Sequence, residues 1–416
     1  MLGIGWITLV CCIPLIFIFR NRRLGFLDPI NMFMITRVSP MLASMIMFLT
    51  QIPITNFTLL FVISSSLFLV SLYFATPKTR IIKIPSNSFS IKFFFRLAIF
   101  LVVIKTLILA SAIGGIPLVS DGGSNAYIDF DVNNKLGSSF LLGLGVADLV
   151  ILAFVIPLFK RRDIRLLSLV ILLYAVLLGL SGGKKSSLLG IAMAIALGEY
   201  LRVLFVEHQR VYFLKRKFML VGFMAVLLWA TWLYSKTESV DWSMIDLRSI
   251  STVFDFVFFQ WAYPFMLFVS GELNQFFTTY EVNRAAYFFH SILSPIGFPA
   301  FKYSIGPAIN EFLQGSMTGN GINPTFIIEG YVLVGVFLPL YAVFTGVVIG
   351  KVRAFLMNIA PFEFKVALIA LVLPALYTFA VDGLLALKIL YIVVFVFTCI
   401  VFPLRLLTVR RVRING

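Results

Sequence analysis

The sequence predicts an all-α, polytopic helical membrane protein with about 11 (10–14) transmembrane helices and one large, partly helical loop on the outer side. Three observations lead there. Of the 416 residues 60% are hydrophobic and only 12% charged, half the charge of an ordinary soluble domain, which carries about 25%. The apolar runs are long and nearly free of charge, whereas a membrane barrel would show alternating segments of roughly ten residues. The lysines and arginines are clustered after every second run. With a mean hydropathy of +1.02 the chain has too much apolar surface for a set of soluble domains, and disorder, which requires low hydrophobicity, is excluded.

The runs fall at 2–19, 36–52, 58–75, 97–118, 138–159, 166–180, 188–206, 218–235, 325–350, 366–381 and 384–404. The first has no basic segment before it and no small-residue cleavage site after it, so it reads as a span and not as a cleaved signal. Of the three cysteines, Cys11 and Cys12 share this run and Cys399 lies in the last; they read as small hydrophobes, not as a disulfide or metal set. Each odd-numbered run ends in a basic cluster. Arg20, Arg22 and Arg23 follow the first, Lys78 to Arg96 the third, and Lys160 to Arg165 the fifth. Arg210 to Lys217 follow the seventh, Lys351 and Arg353 the ninth, and Arg405 to Arg413 the eleventh. Segments 20–37, 76–96, 160–165, 199–217, 351–365 and 405–416 together hold 25 of the 34 Lys/Arg but 5 of the 18 Asp/Glu. The positive-inside rule places these ends in the cytoplasm, with the N-terminus outside and the C-terminus inside. The net charge of +16 is then an orientation signal with some attraction to anionic lipid, and no nucleic-acid partner is needed to explain it.

Three regions follow: an N-terminal transmembrane bundle over 1–235, a large outer loop over 236–324, and C-terminal helices with a basic tail over 325–416. Within the large loop, 254–269 and 285–301 are aromatic-rich. If only one of them crossed the membrane, the later basic clusters would fall outside, so both cross or neither does. Neither is the preferred reading, which makes them interfacial or re-entrant helices of the outer leaflet.

Candidate functional residues are the charges that break this pattern. Ser181-Gly182-Gly183-Lys184-Lys185-Ser186-Ser187 joins two runs on the outer side. Two lysines, close-approach glycines and a following helix N-terminus suit a phosphate or diphosphate; a plain turn with lysines reaching lipid headgroups is the alternative. Glu329 lies near the start of the ninth run. A carboxylate there is costly and suited to accept a proton; otherwise it caps a helix or pairs with Arg248 or Arg284. Arg248, Arg284 and Lys302 in the large loop suit a diphosphate or an anionic sugar, or pair with Asp246, Asp255 or Glu281. His290 is the one outward histidine and reads either as a catalyst or as a hydrogen-bonded structural residue. Trp261 and Tyr263 are suited to stacking on sugars, or to anchoring at the membrane interface. The charges inside runs, Lys105, Asp148, Asp382 and Lys388, read as structural. Asp129-Phe130-Asp131 has the letter spacing of a metal motif, but no metal or cofactor is expected.

The chain resembles the bacterial oligosaccharide repeat unit polymerases, the Wzy-type O-antigen polymerases, in its span number and large second-half loop and in two local pieces. One is the Ser-Gly-Gly-Lys184-Lys185-Ser-Ser turn. The other is Asn323-Pro324-Thr325-Phe326-x-x-Glu329-Gly330-Tyr331-x-x-x-Gly335, where Gly330, Leu333 and Val334 stand in place of the Ala, Asn and Phe common in the family. The resemblance implies a glycosyltransferase architecture of the GT-C-like type in the bacterial inner membrane, with its active site facing the periplasm. It implies transfer of a growing chain between undecaprenyl-diphosphate-linked repeat units, donor and acceptor, with release of undecaprenyl diphosphate and without metal or nucleotide. Glu329, His290 and Arg284 would be catalytic, and Lys184, Lys185, Arg248 and Lys302 would bind diphosphate. Tyr331, Asn323, Trp261 and Tyr263 would hold sugar. Membrane lipids and a chain-length regulator are the expected partners. An O-antigen ligase has similar topology and donor, and a lipid-linked oligosaccharide flippase is the reading from another class.

Overall fold

The computed structural model describes residues 4–20, 28–51, 55–78, 262–279, 305–314 and 325–355, with a few isolated positions between them. Among the described residues the secondary structure is entirely helical. The runs expected at 97–118, 138–159, 166–180, 188–206, 218–235, 366–381 and 384–404 lie wholly or mostly outside them.

Helix α1 spans Ile4–Ile18. Helix α2, Pro29–Phe33, begins where the sequence writes a start signal: Asp28 accepts a hydrogen bond from the Ile30 amide at 3.1 Å, and Pro29 occupies the first helical position. A single π turn, Met34–Val38, leads without a break into α3, Ser39–Gln51. Helix α4, Asn56–Ala75, opens on a capping box. The Thr58 amide donates to Thr55 Oγ1 at 3.2 Å, while Thr58 Oγ1 accepts from the Thr55 amide at 3.4 Å. A helix then covers 262–270 (α5). Gly271, at φ 79°, breaks it from α6, Glu272–Thr279. Helix α7 is Ile305–Gln314 and α8 is Phe326–Val334. A 3-10 turn, Gly335–Phe337, leads to α9, Leu338–Ala354.

Two helical stretches are long and apolar enough to cross a membrane, Asn56–Ala75 and Phe326–Ala354. The outward faces agree with an apolar solvent. Trp6, Val10 and Phe17 on α1, Val70 and Phe74 on α4, and Leu340 and Phe344 on α9 are all more than half exposed, large apolar side chains of the kind that suit an apolar surrounding.

The second stretch is not one straight span. A Cβ added at Gly330 would lie 2.5 Å from the Tyr341 ring and 2.7 Å from Leu338. In a straight helix, residues 8 and 11 positions apart are separated by about 12 and 16 Å along the axis. The chain therefore reverses between α8 and α9. The reversal is made at Gly335, whose φ of 59° and ψ of −124° belong to a region that side-chain-bearing residues rarely adopt.

The direction of each helix follows from its contacts with α4. Gly346 of α9 lies against Phe68, Ser71 and Leu72, and Gly350 against Ala75, so α9 runs parallel to α4. Phe326 stacks on Phe68 at 4.5 Å and Tyr331 meets Phe57 at 5.5 Å, so α8 runs the opposite way and starts deep beside α4. Phe265 meets Phe61 at 5.9 Å and Phe268 meets Phe57 at 5.5 Å, so α5 also runs against α4. The glycine pair on α9, four residues apart, removes the side chains that would hold α9 away from α4, which is how helices approach closely in lipid.

At one end of this bundle Phe19 meets Tyr73 at 5.5 Å, Gly350 meets Ala75, and Arg353 is paired with Asp28. The C-terminal ends of α1, α4 and α9 therefore lie together. Helix α5 covers the described part of the 254–269 segment; its Ala262, Phe265, Leu267, Phe268 and Val269 are all buried, and Ala262 packs with Ile4 of α1 and Ala43 of α3.

Candidate functional site

Glu329 is the sequence-predicted residue for which the structure provides the fullest setting. It sits in the first turn of α8, fully buried, at a level between Phe57 and Phe68 of α4. The Tyr341 hydroxyl on α9 donates to its Oε1 at 2.8 Å. This contact exists only because of the hairpin. The expectation of one continuous span over 325–350 put Glu329 within a turn of the outer end; the reversal puts it instead inside the bundle, on a half-length helix. A negative charge in the first turn of a helix is favoured by the backbone dipole, which eases its burial.

Gly330, where the resembled family often has Ala, is what admits Tyr341. With no side chain at 330, the Tyr341 ring and Leu338 lie directly on α8.

Tyr331 is two residues beyond Glu329, about 200° round the helix, and faces a different environment. Its ring is enclosed by Phe57 at 5.5 Å, Phe268 at 5.5 Å and Phe277 at 4.7 Å. It forms one wall of an aromatic cluster joining α4, α5, α6 and α8. Tyr263, on α5, is half-buried, two residues before Phe265, whose ring meets those of Phe61 and Phe326. Lys184, Lys185, Arg248, Arg284, His290, Lys302, Asn323 and Trp261 lie outside the described residues.

Sequence reasoning missed three features. The first is Tyr341, twelve residues from Glu329; the one signal was Gly335 in the middle of an apolar run. The second is a set of buried hydroxyls, Ser64 Oγ, Ser65 Oγ and Thr325 Oγ1, that make no hydrogen bond within the protein. Ser64 and Ser65 lie on the buried stripe of α4 between Phe61 and Phe68, and Thr325 precedes Phe326, which stacks on Phe68. Buried polar groups are nearly always paired, so these hydroxyls supply hydrogen-bonding capacity beside the start of α8.

The third is the ion pair of Asp28 with Arg353. The guanidinium is bidentate: Nε donates to Oδ1 at 2.9 Å and Nη2 contacts Oδ2. Both side chains are buried, at 0% and 2% exposed. Arg353 was read as one of the orienting cytoplasmic charges; it also fastens the end of α9 to the start of α2. The sequence signal was a lone Asp before Pro29 in a strongly basic stretch.

The described residues define a class: a helical protein with helices suited to a membrane, containing a reversed half-helix that carries a buried carboxylate. No protein-family model, no characterised protein and no solved structure matches the chain.

Proposed function

We propose that the chain is a metal-independent glycosyltransferase of the bacterial inner membrane that polymerises undecaprenyl-diphosphate-linked oligosaccharide repeat units into surface polysaccharide on the periplasmic face. The single observation that carries this reading is Glu329, a carboxylate buried in an apolar helix pair and held by a phenol. Such a group in a membrane-embedded helix is a functional residue by default. In the proposed reaction Glu329 accepts the proton of the acceptor sugar hydroxyl. The hydroxyl oxygen bonds to the anomeric carbon of the donor, and the bond from that carbon to the diphosphate breaks. The diphosphate leaves with the electron pair, its charge met by Lys184, Lys185, Arg248 and Lys302, while Arg284 and His290 orient the reacting groups. The anomeric centre is oxocarbenium-like in passing, as in glycoside hydrolysis. The buried hydroxyls of Ser64, Ser65 and Thr325 are suited to hydrogen-bond sugar hydroxyls near Glu329.

The test is reconstitution of the full chain in liposomes with one lipid-diphosphate-linked repeat unit, without metal or nucleotide, and separation of the products by gel. The expected product is a ladder spaced by one repeat, and Glu329→Gln lowers its rate by about 100-fold or more. Transfer of sugar to added lipid A core without a ladder would establish a ligase. One observation favours a second reading: a half-helix reversed inside the bundle is a feature of membrane transporters. Movement of the lipid-linked sugar across the bilayer with neither product would establish a flippase instead.

A further inference from the structure

We infer that Tyr341 is a positioning residue for Glu329, and that Gly330 is the residue that lets it act. The inference rests on the reading of Glu329 as the proton acceptor. The phenol donates to Glu329 Oε1 at 2.8 Å from the opposite arm of the hairpin. A glutamate side chain turns about several bonds between its backbone and its oxygens, and the last of these torsions is broad. The helix α8 alone does not fix which way the oxygens face; a donor anchored on α9 does. The Tyr341 ring reaches Glu329 by lying across Gly330, where a Cβ would meet the ring at 2.5 Å. The carbonyl of Tyr341 accepts from Thr345 Oγ1 at 2.9 Å, which ties the residue into α9. Hairpin, glycine and phenol thus form one device: Gly335 reverses the chain, Gly330 opens the space, and Tyr341 holds the acid. The device predicts that an acceptor hydroxyl is bound equally well without the phenol but is deprotonated more slowly.

The experiment is the polymerisation assay with the full chain and the lipid-diphosphate-linked repeat unit. Tyr341→Phe keeps the ring and removes only the hydroxyl. Loss of a hydrogen bond to a charged group predicts kcat lower by about 10-fold to 100-fold, with KM changed less than about 2-fold. Gly330→Ala raises helix propensity yet displaces the ring, and gives the same kcat-only defect. In the Glu329→Gln background neither change lowers the rate further, because the group they serve is gone. A merely structural role would instead give additive losses and a raised KM. A second measurement needs no activity. The infrared carboxyl band that vanishes in Glu329→Gln shifts in frequency in both Tyr341→Phe and Gly330→Ala. If Glu329→Gln abolishes the ladder while Tyr341→Phe and Gly330→Ala keep wild-type kcat and leave the band in place, the positioning role is overturned and the proton acceptor stands. If Glu329→Gln keeps full activity, the proton acceptor falls, and the positioning role with it.

Discussion

Removing either partner of the Asp28–Arg353 pair should destabilise the fold far more than removing both. Each partner is buried, and the guanidinium meets both carboxylate oxygens. Arg353→Met leaves the Asp28 carboxylate without its cation. Breaking a buried pair in this way costs about 3–5 kcal/mol. Asp28→Ala has the same effect on the guanidinium and also strips the side-chain cap from the Ile30 amide, a further ~1 kcal/mol. In the double variant both members of the pair are gone and Met fills most of the volume of the arginine stem, so the loss should fall to about 1–2 kcal/mol, mostly the cap and imperfect packing. The coupling between the two sites is therefore about 5 kcal/mol or more, toward the upper end of the range measured for close charge pairs. The assay is thermal unfolding of the four proteins in one detergent at one concentration. At about 2 °C per kcal/mol for a large domain, each single variant should lose about 6–12 °C and the double variant only about 2–4 °C. A double variant that loses the sum of the two singles would refute the reasoning, because it would mean that the groups are solvated separately and not held as a pair.

Three further predictions concern glycines. Gly346→Ala should cost about 1–3 kcal/mol, read as a lower Tm. The new Cβ would overlap Ser71 Oγ and lie 2.7 Å from the Phe68 carbonyl oxygen, a backbone atom that cannot step aside. Gly271 provides the contrast: at φ 79° a Cβ added there would have nothing within 4 Å, so Gly271→Ala should cost only the conformational strain, about 1 kcal/mol. Gly335→Ala should strain the hairpin turn by about 1–3 kcal/mol, lower Tm accordingly, and weaken the Tyr341–Glu329 contact, seen as a displaced Glu329 carboxyl band.

Composition was sufficient for the helical class of the described residues. The start of α2 was equally legible, since Asp28 and Pro29 carry their effect within one helical turn. The reversal at Gly335 was not. Hydrophobic periodicity reports which face of a helix is apolar, and in Phe326–Ala354 nearly every face is, so the pattern is silent about direction. A single glycine in an apolar run is compatible with a continuous helix, and only its backbone angles distinguish the turn. Tyr341 and the partner of Arg353 depend on contacts made across the hairpin or across 325 residues, and neither kind is written in local sequence.

Two buried acids at different levels of the bundle show how partner chemistry separates structure from function. Asp28 faces a guanidinium through both of its oxygens and caps a helix with the same carboxylate. The contact described for Glu329 is with a neutral phenol. A phenol hydroxyl can donate to a carboxylate and to the carbonyl oxygen of a carboxylic acid alike, so this contact survives a change of charge. Glu329 is carried in the first turn of a half-helix and is fully buried. Asp28 is held by a cation and a backbone amide at the start of α2, and Glu329 by a phenol from the opposite arm of the hairpin.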